Sequence, residues 1–197
     1  SHLTTRDAQQ FWTSGQWMTE KEGGSDVSNT STTAMADGEE FLLTGTKWFS
    51  SATTSEMALA LARSEAGVEG SRGLSLFYIE MRDHNHQLNG IKIRRLKDKL
   101  GTRALPTAEL DLVNCRAHMI GEPGHGVKNI ATMLNITRLH NAICSCGQMN
   151  RSLHLAMDYA GKRQAFGGKV AHHSLQKQTF ARMNLKLSLG LSLVMSL

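Results

Sequence analysis

Apolar and polar positions follow different patterns on the two sides of Gly121. Before it, short apolar or alternating runs stand between glycine-rich turn signals, which is typical of strands in a β-sandwich or barrel. After it, glycines are sparse and apolar residues recur at helical spacing. The predicted strands are Glu40 to Thr44, Met57 to Ala62, Leu74 to Ile79, Ile91 to Ile93 and Ala108 to Val113.

Two long helices are predicted in the second half of the chain. The first extends from about Val127 to about Lys162, with Gly147 as its weakest point, because glycine is unfavourable inside a helix. Ser174 is the expected N-cap of the second helix, since a serine hydroxyl can accept a hydrogen bond from a free N–H there. The apolar stripe of the second helix comprises Leu175, Phe180, Met183, Leu187, Leu191 and Val194.

These elements predict an α+β fold, in which an antiparallel β-sandwich or barrel domain precedes the long antiparallel helices of an incomplete four-helix bundle. The expected divisions are an N-terminal linker at residues 1–14, a β-domain at 15–121 and bundle helices at 122–197. Residues 187–197 carry no charge and are apolar on every face of the predicted helix. Such a helix belongs inside a bundle, and two helices cannot surround it, so we expect the chain to be a fragment.

The amino-acid composition is that of an ordinary globular protein, and the positive charge is concentrated in one segment of the chain. Hydrophobic residues make up 40% of the 197 residues, and no apolar run reaches the roughly 18 residues of a membrane span. The three cysteines form neither a disulfide framework nor a paired zinc motif, so we expect no metal site and a reducing intracellular compartment, whether mitochondrial, peroxisomal or cytosolic. Much of the net charge of +5 lies in residues 92–103, which indicates either attraction to nucleic acid or coenzyme phosphates, or a charged strand edge.

The first segment with candidate chemistry runs from Trp17 to Val27. Its Gly23-Gly24 pair lets backbone N–H groups approach an anion, and Ser25 adds a hydroxyl donor suited to a phosphate oxygen. Thr19 is placed to donate to a ring carbonyl. The simpler interpretation is a glycine turn capped by the serine, and this segment alone does not decide between the two.

The second segment, Gly45 to Ser51, brings Trp48 and Phe49 beside two serines at a strand end. Strand alternation sends the two rings to opposite faces, so one is expected in the core and the other over a planar ligand. An aromatic ring next to a hydroxyl suits a flavin, whose N5 and carbonyls accept hydrogen bonds. Two aromatic residues in a strand are also common in a core.

Five motifs stand in a recognisable order along the chain. They are Thr19 to Asp26, Gly45 to Phe49, Lys99 to Arg103, the sheet-to-helix joint Gly121 to Gly126 followed by Thr137-Arg138, and Arg163 to Gly167. In this order they resemble the acyl-CoA dehydrogenases over nearly the whole chain. The sequences of residues 18–21 and 48–51 are most similar to those of the AidB-like branch of that family, which is named for a bacterial alkylation-response flavoprotein.

The resemblance implies a flavoenzyme that binds FAD between subunits. The residues implied to meet FAD within one subunit are Met18, Thr19, Gly24, Ser25, Trp48, Phe49 and Ser51. Phe49 takes the place of the family's flavin-stacking tryptophan, and Ser51 that of its N5-contacting threonine. Arg163 and Phe166 would reach the FAD of a neighbouring subunit in a dimer or tetramer. Ser25, Thr137 and Arg138 are the implied substrate-binding residues.

The implied reaction removes the α-proton of an acyl-CoA thioester and transfers a hydride from the β-carbon to flavin N5, with an electron-accepting flavoprotein as a further partner. The family's catalytic base is a glutamate late in the bundle, and no residue of this chain matches it, so we expect the chain alone to be inactive. Glu20 and Glu22 are interpreted as loop carboxylates. The alternatives are an acyl-CoA oxidase and an AidB-like flavoprotein that binds nucleic acid through residues 92–103.

Overall fold

Seven strands form one sheet that closes on itself in the first part of the chain. The computed structural model describes residues 2–65 and 67–197; residues 1 and 66, which fall within the predicted domains, lie outside the described residues. The strands are β1 Ser14–Trp17, β2 Thr33–Asp37, β3 Glu40–Ser51, β4 Met57–Arg63, β5 Leu74–Glu80, β6 Ile91–Leu96 and β7 Thr107–Ile120. Successive pairings of β4, β2, β3, β7 and β5 return to β4, so the predicted barrel is confirmed.

Most neighbouring strands are antiparallel, as predicted, but β4 pairs in parallel with both β1 and β2. The longest pairing joins β3 to β7, with β6 added at the outer edge of β7. Apolar side chains from alternating positions of these strands fill the interior. The largest of them are Trp17, Leu43, Phe77, Ile79, Leu110 and Leu112.

The strands that the hydrophobic pattern did not predict lack large alternating side chains. β1 has the sequence Ser-Gly-Gln-Trp, and β2 has the sequence Thr-Ala-Met-Ala-Asp. β3 runs seven residues beyond the predicted end at Thr44, passing through Gly45. Gly45 is required inside the strand, because a Cβ atom there would lie 2.7 Å from Thr32 Cα. The glycine therefore marks a close backbone approach rather than a strand end.

The helices confirm both predicted spans and correct one predicted cap. α1 (Gly126–Lys162) is continuous through Gly147, and α2 comprises Ser174–Met195. Ser174 is the first residue of α2, whereas the cap position belongs to His173, which makes no side-chain capping bond. Between the helices lies a hairpin of β8 (Gln164–Ala165) and β9 (Gly168–Lys169). Short 3-10 turns occur at Val27–Asn29, Gly70–Gly73 and Val170–His172.

The chain forms two compact units, one reaching to Ala131 and one comprising Thr132–Leu197. In the second unit, Leu187 is the buried residue of α2, and a Cβ atom on Gly190 would contact Cys146 Sγ of α1 at 3.5 Å. Large apolar side chains of α2 are exposed: Leu175, Met183, Leu185, Leu189, Leu191, Leu193 and Met195. In the described part of the chain, no helix has the length and apolar character needed to cross a membrane.

Replacement of Gly45 by alanine tests the close contact between β3 and the turn before β2. The new Cβ atom would overlap Thr32, so we expect Gly45→Ala to lower the free energy of unfolding by about 1–3 kcal/mol. Urea denaturation measures this change. Gly101→Ala is the control, because no heavy atom lies within 4 Å of the corresponding Cβ position. Equal denaturation midpoints for the two variants would contradict the steric argument.

Candidate functional site

The two segments with predicted flavin chemistry meet in the structure. The backbone N–H of Trp48 donates to the carbonyl oxygen of Thr19 at 2.8 Å, across 29 residues of sequence. Next to this bond, Lys47 Nζ lies 2.7 Å from Glu20 Oε1, and both side chains are buried. The ammonium also donates to the carbonyl oxygen of Leu61 in β4. A turn and two strands are therefore fixed to one another at this point.

Glu20 lies in a loop, as the sequence indicated, and its carboxylate is buried there. Besides the Lys47 ammonium, its two oxygens accept hydrogen bonds from the backbone N–H groups and the hydroxyls of Ser31 and Thr32. Five donors thus surround a residue that is 4% exposed. Glu22 does lie at the surface. A carboxylate with this many donors organises the loop after β1 instead of acting on a ligand.

The hydrogen bonds determine the protonation state of Glu20. Burial alone would raise its pKa, but the Lys47 charge and the bonds from Lys47, Thr32 and Ser31 lower the pKa from 4.5 to about 2. Burial lowers the pKa of Lys47, and the Glu20 carboxylate opposes that shift. The lowered pKa of Glu20 favours an ionised carboxylate, whereas the lowered pKa of Lys47 favours a neutral amine. We take the ionised pair as the state of the site, because five donors face Glu20 and two acceptors face Lys47 Nζ.

Trp48 and Phe49 depart from the predicted alternation. The β3–β7 register shifts between Lys47 and Ser50, and both of these residues are buried. The two aromatic residues between them consequently lie outside the core, and the prediction that one ring enters it is wrong. Phe49 adopts a left-handed backbone conformation, with φ of 55°, and its side chain is 53% exposed. A bulge of this kind re-aims side chains at the end of a strand.

The hydroxyls near this bulge have different environments. Ser51 Oγ lies 2.8 Å from Thr107 Oγ1, which also accepts a hydrogen bond from Lys99 Nζ at 2.8 Å. Ser50 Oγ is buried and has no hydrogen-bond partner among the described residues. Thr107 and Lys99 thus support the hydroxyl of Ser51, which the family resemblance assigns to the flavin.

The glycine-rich turn leaves donors free. Gly23 is buried, its N–H donates to the carbonyl oxygen of Glu20, and a Cβ atom there would lie 2.9 Å from the carbonyl oxygen of Asp26. Gly24 has more space, since a Cβ atom would only reach ordinary contact with Thr19. Within the described residues, no hydrogen bond engages the hydroxyl of Thr19 or of Ser25. Met18, the remaining residue of this predicted set, is half-buried between β1 and Thr19.

The other predicted residues belong to the helical unit. Arg163 donates to the Tyr159 hydroxyl at 3.2 Å, and Phe166 is 96% exposed at the tip of the β8–β9 hairpin. On α1, the Thr137 hydroxyl donates to the carbonyl oxygen of Leu134, and Arg138 donates to Asn135. Each of these predicted residues is exposed. Their assignment to cofactor or substrate stays a prediction.

Four of the six basic side chains in segment 92–103 pair with carboxylates of the same molecule. Arg94 pairs with Asp111, Arg95 and Lys97 pair with Glu109, and Arg103 pairs with Asp98. Hydrogen bonds from Arg94 and Thr46, together with the nearby charges of Arg94 and Lys92, lower the pKa of Asp111 despite some burial. In the described residues, no group of three or more histidine, cysteine or acidic side chains is arranged to hold a metal ion.

Comparison with known proteins identifies the family. Residues 15–115 match the middle domain of the acyl-CoA dehydrogenases, and residues 124–197 match their C-terminal domain. The chain belongs to the acyl-CoA dehydrogenase family. Members of this family are FAD-dependent oxidoreductases. The family predicted from the order of the five motifs is thereby confirmed.

Several relatives extend the comparison. The chain is 50% identical to acyl-CoA dehydrogenase family member 11 of Caenorhabditis elegans over 93% of its own length and 31% of that protein. It is 34% identical to AidB of Escherichia coli (strain K12), over 95% of this chain and 34% of AidB. The crystal structure of C. elegans ACDH-11 in complex with C11-CoA superposes with a TM-score of 0.89 at 49% identity, covering 95% of this chain and 32% of that one. The chain spans about a third of the length of these relatives.

Sequence reasoning did not select Glu20, Lys47, Lys97 or Thr107 as parts of the site. For Lys47 a signal was present, because strand alternation places it on the same face as the buried Leu43. A lysine at an inward position requires a buried acceptor, and Glu20 of the first motif is that acceptor. Lys97 and Thr107 carry no comparable signal, since their roles depend on how β6 and β7 pair.

Removal of one partner of the buried ion pair is expected to be more damaging than removal of both. Lys47→Met leaves the Glu20 carboxylate buried without its counter-ion, so we expect a loss of about 3–5 kcal/mol in unfolding free energy. The double variant Glu20→Gln/Lys47→Met should regain a substantial part of that loss. Urea denaturation of the unsubstituted chain, the two single variants Glu20→Gln and Lys47→Met, and the double variant measures the coupling. Additive losses would show that the two side chains act independently.

The lowered pKa of Glu20 predicts a defined dependence of stability on pH. A carboxylate whose folded-state pKa is about 2 adds stability that is complete above its unfolded pKa of about 4.5 and is lost as the pH falls from there toward 2. Over that range the unsubstituted chain should lose up to about 3 kcal/mol more than Glu20→Gln. Denaturation series from pH 5 to pH 2 measure the difference; parallel curves for the two chains would refute the shift.

Proposed function

We propose that this chain forms part of an FAD-binding acyl-CoA dehydrogenase, with the Thr19–Ser25 turn and the Phe49–Ser51 strand end holding the flavin. The observation that carries the proposal is the hydrogen bond from Trp48 N–H to Thr19, which brings two distant motifs to one place. Around that bond, the hydroxyls of Thr19 and Ser25 and the exposed ring of Phe49 remain available for a ligand. A planar ring with polar edges and a phosphate suits such a set of groups.

Each residue has a distinct task in this proposal. Phe49 presents its ring to the flavin ring, and Ser51, oriented by Thr107, donates to the flavin edge. Thr19 donates to a ring carbonyl, and Ser25, at the end of the Gly23-Gly24 turn, donates to the cofactor's phosphate. Met18, Gly24 and Trp48 line the same place. When bound, the flavin supplies the acceptor for the hydride.

The helical residues complete the proposal in a second subunit. The β8–β9 hairpin presents Phe166 at its tip, and Arg163 lies at the base of the hairpin with an exposed guanidinium. We assign both to the FAD of a neighbouring subunit in a dimer or tetramer. An exposed aromatic ring beside an arginine is suited to a stacked base and a phosphate.

The proposed substrate is an acyl-CoA thioester, which is dehydrogenated between its α- and β-carbons. Support for the ligand class comes from the C11-CoA bound to ACDH-11. Ser25, Thr137 and Arg138 are the proposed contacts of this chain with the substrate. Glu20 is excluded as the base that removes the α-proton, because its carboxylate is already saturated by five donors. We propose that the base and the electron-accepting flavoprotein lie outside the described residues, as the family resemblance implies.

The nucleic-acid alternative has less support. A duplex-binding surface requires lysines and arginines that are free to contact phosphates. In residues 92–103, four of the basic side chains already face carboxylates of the same chain. The structure of this segment fits the charged strand edge better, since β6 lies at the outer edge of the sheet and pairs with β7.

Flavin binding tests the proposal directly. We expect the chain, after incubation with FAD and desalting, to retain a visible flavin band that is shifted from that of free FAD. Phe49→Ala removes the stacking surface and should weaken FAD binding by about 3- to 10-fold. Phe11→Ala is the matched control, because Phe11 has a similar exposure of 49% and lies outside the two segments.

Either of two results would contradict this assignment. An unsubstituted chain that retains no flavin would show that these segments do not form a site in this chain. Equal FAD affinities for Phe49→Ala and Phe11→Ala would show that flavin binds elsewhere.

A further inference from the structure

Lys97 differs from the three arginines of its segment in where its side chain lies. Its side chain is 11% exposed, whereas those of Arg94, Arg95 and Arg103 are more than half exposed. The Lys97 ammonium is 2.5 Å from Glu109 Oε1. It also lies 3.4 Å from the centre of the Trp48 ring and 4.7 Å from the centre of the Phe49 ring. One lysine therefore bridges a carboxylate and both aromatic residues of the bulge, the half-buried Trp48 and the exposed Phe49.

These distances are those of a cation–π interaction with both rings. Glu109, 6% exposed, fixes the ammonium from the other side, and bonds from Lys97 and Arg95 lower the pKa of its carboxyl. The backbone N–H of Lys97 donates to the carbonyl oxygen of Thr107 at 2.7 Å. Thr107 is also the partner of the Ser51 hydroxyl. The same lysine thus connects to the aromatic rings through its side chain and to the Ser51 hydroxyl through its backbone.

The aromatic pair needs such support because the core does not provide it. The Trp48 and Phe49 rings have centres 6.4 Å apart, and Phe49 is mostly exposed on a backbone with positive φ. A non-glycine residue in that conformation is strained and persists only where neighbours over-determine it. An exposed ring on a strained backbone would otherwise sample several orientations, and ordering it would reduce the affinity for a stacked ligand.

We propose that Lys97 is a positioning residue of the flavin site, which holds Trp48 and Phe49 as a preformed aromatic surface and delivers the Ser51 hydroxyl beside it. This inference rests on the proposed FAD site. It gives one residue of the basic segment 92–103 a ligand-directed role, in addition to the ion pair that this residue forms with Glu109. The role depends on the positive charge, so arginine can replace lysine more successfully than a neutral side chain of similar length.

Lys97→Met removes the charge and keeps the length, and Lys97→Arg keeps the charge. Lys92→Met is the control, because it removes an exposed charge from the same basic segment. The first measurement is ¹⁹F NMR of chains labelled with 5-fluorotryptophan, which needs no flavin. Three signals are expected, from Trp12, Trp17 and Trp48, and Trp48→Phe assigns the third. Lys97→Met should shift or broaden the Trp48 signal alone, and Lys92→Met should leave all three unchanged.

The second measurement is the affinity for FAD, followed by the perturbation of the visible flavin band. Lys97→Met should weaken FAD binding by about 3- to 10-fold and reduce the perturbation of the band, while Lys97→Arg should stay within about 2-fold of the unsubstituted chain. An unmoved Trp48 signal in Lys97→Met would overturn the inference. So would a moved signal with unchanged FAD affinity, since Lys97 would then order the ring without serving the cofactor.

Failure of the proposed function gives a different result. If the unsubstituted chain binds no FAD, the flavin site itself is refuted and the inference about Lys97 falls with it, whatever the fluorine spectra show. If the unsubstituted chain binds FAD and all Lys97 variants bind it equally, only the inference about Lys97 is refuted.

Discussion

The buried ion pair between Glu20 and Lys47 is the interaction on which the rest of the site depends. Both charges are removed from water, which is costly unless each is paired and hydrogen-bonded. The hydroxyl and N–H of Thr32 help to meet that requirement at Glu20, and Thr32 can approach because Gly45 has no side chain. Gly45, Thr32, Glu20 and Lys47 therefore form one continuous set of contacts. An apolar replacement could pack the same volume, but it would not fix the turn after β1 against β3.

The position of Lys47 also explains why two adjacent aromatic residues both lie outside the core. Strict alternation from an inward Lys47 would turn Phe49 inward and Ser50 outward. Instead Ser50 is buried, and the β3–β7 register shifts by the extra residue. Trp48 and Phe49 must then share the outer side of the strand end, and Phe49 takes up the positive φ that the bulge demands. The aromatic surface is a consequence of the bulge and not of strand alternation.

Much of the fold was predictable, because long periodic segments carry strong signals. Five strands and both helices were expected from apolar spacing, whereas β1 and β2 lack large alternating side chains and were not. The motifs located the flavin segments but not their geometry. The contact of Glu20 with Lys47 joins residues 27 apart in sequence and depends on the closed sheet, as does the approach of Lys97 to Trp48. Ser174 failed as a cap because the helix begins one residue earlier than a capping serine requires.

Side chains that already have partners within the chain serve the structure of this molecule, whereas those without such partners are available to bind a ligand. Glu20, Lys47 and Lys97 are held by partners within the chain, so a ligand that engaged them would have to break those contacts. The hydroxyls of Thr19 and Ser25 and the ring of Phe49 have no such commitment among the described residues. Binding through the second set costs little, while the first set keeps that surface in place. The same criterion argues against residues 92–103 as a nucleic-acid surface, because four of their six basic side chains already face Glu109, Asp111 or Asp98.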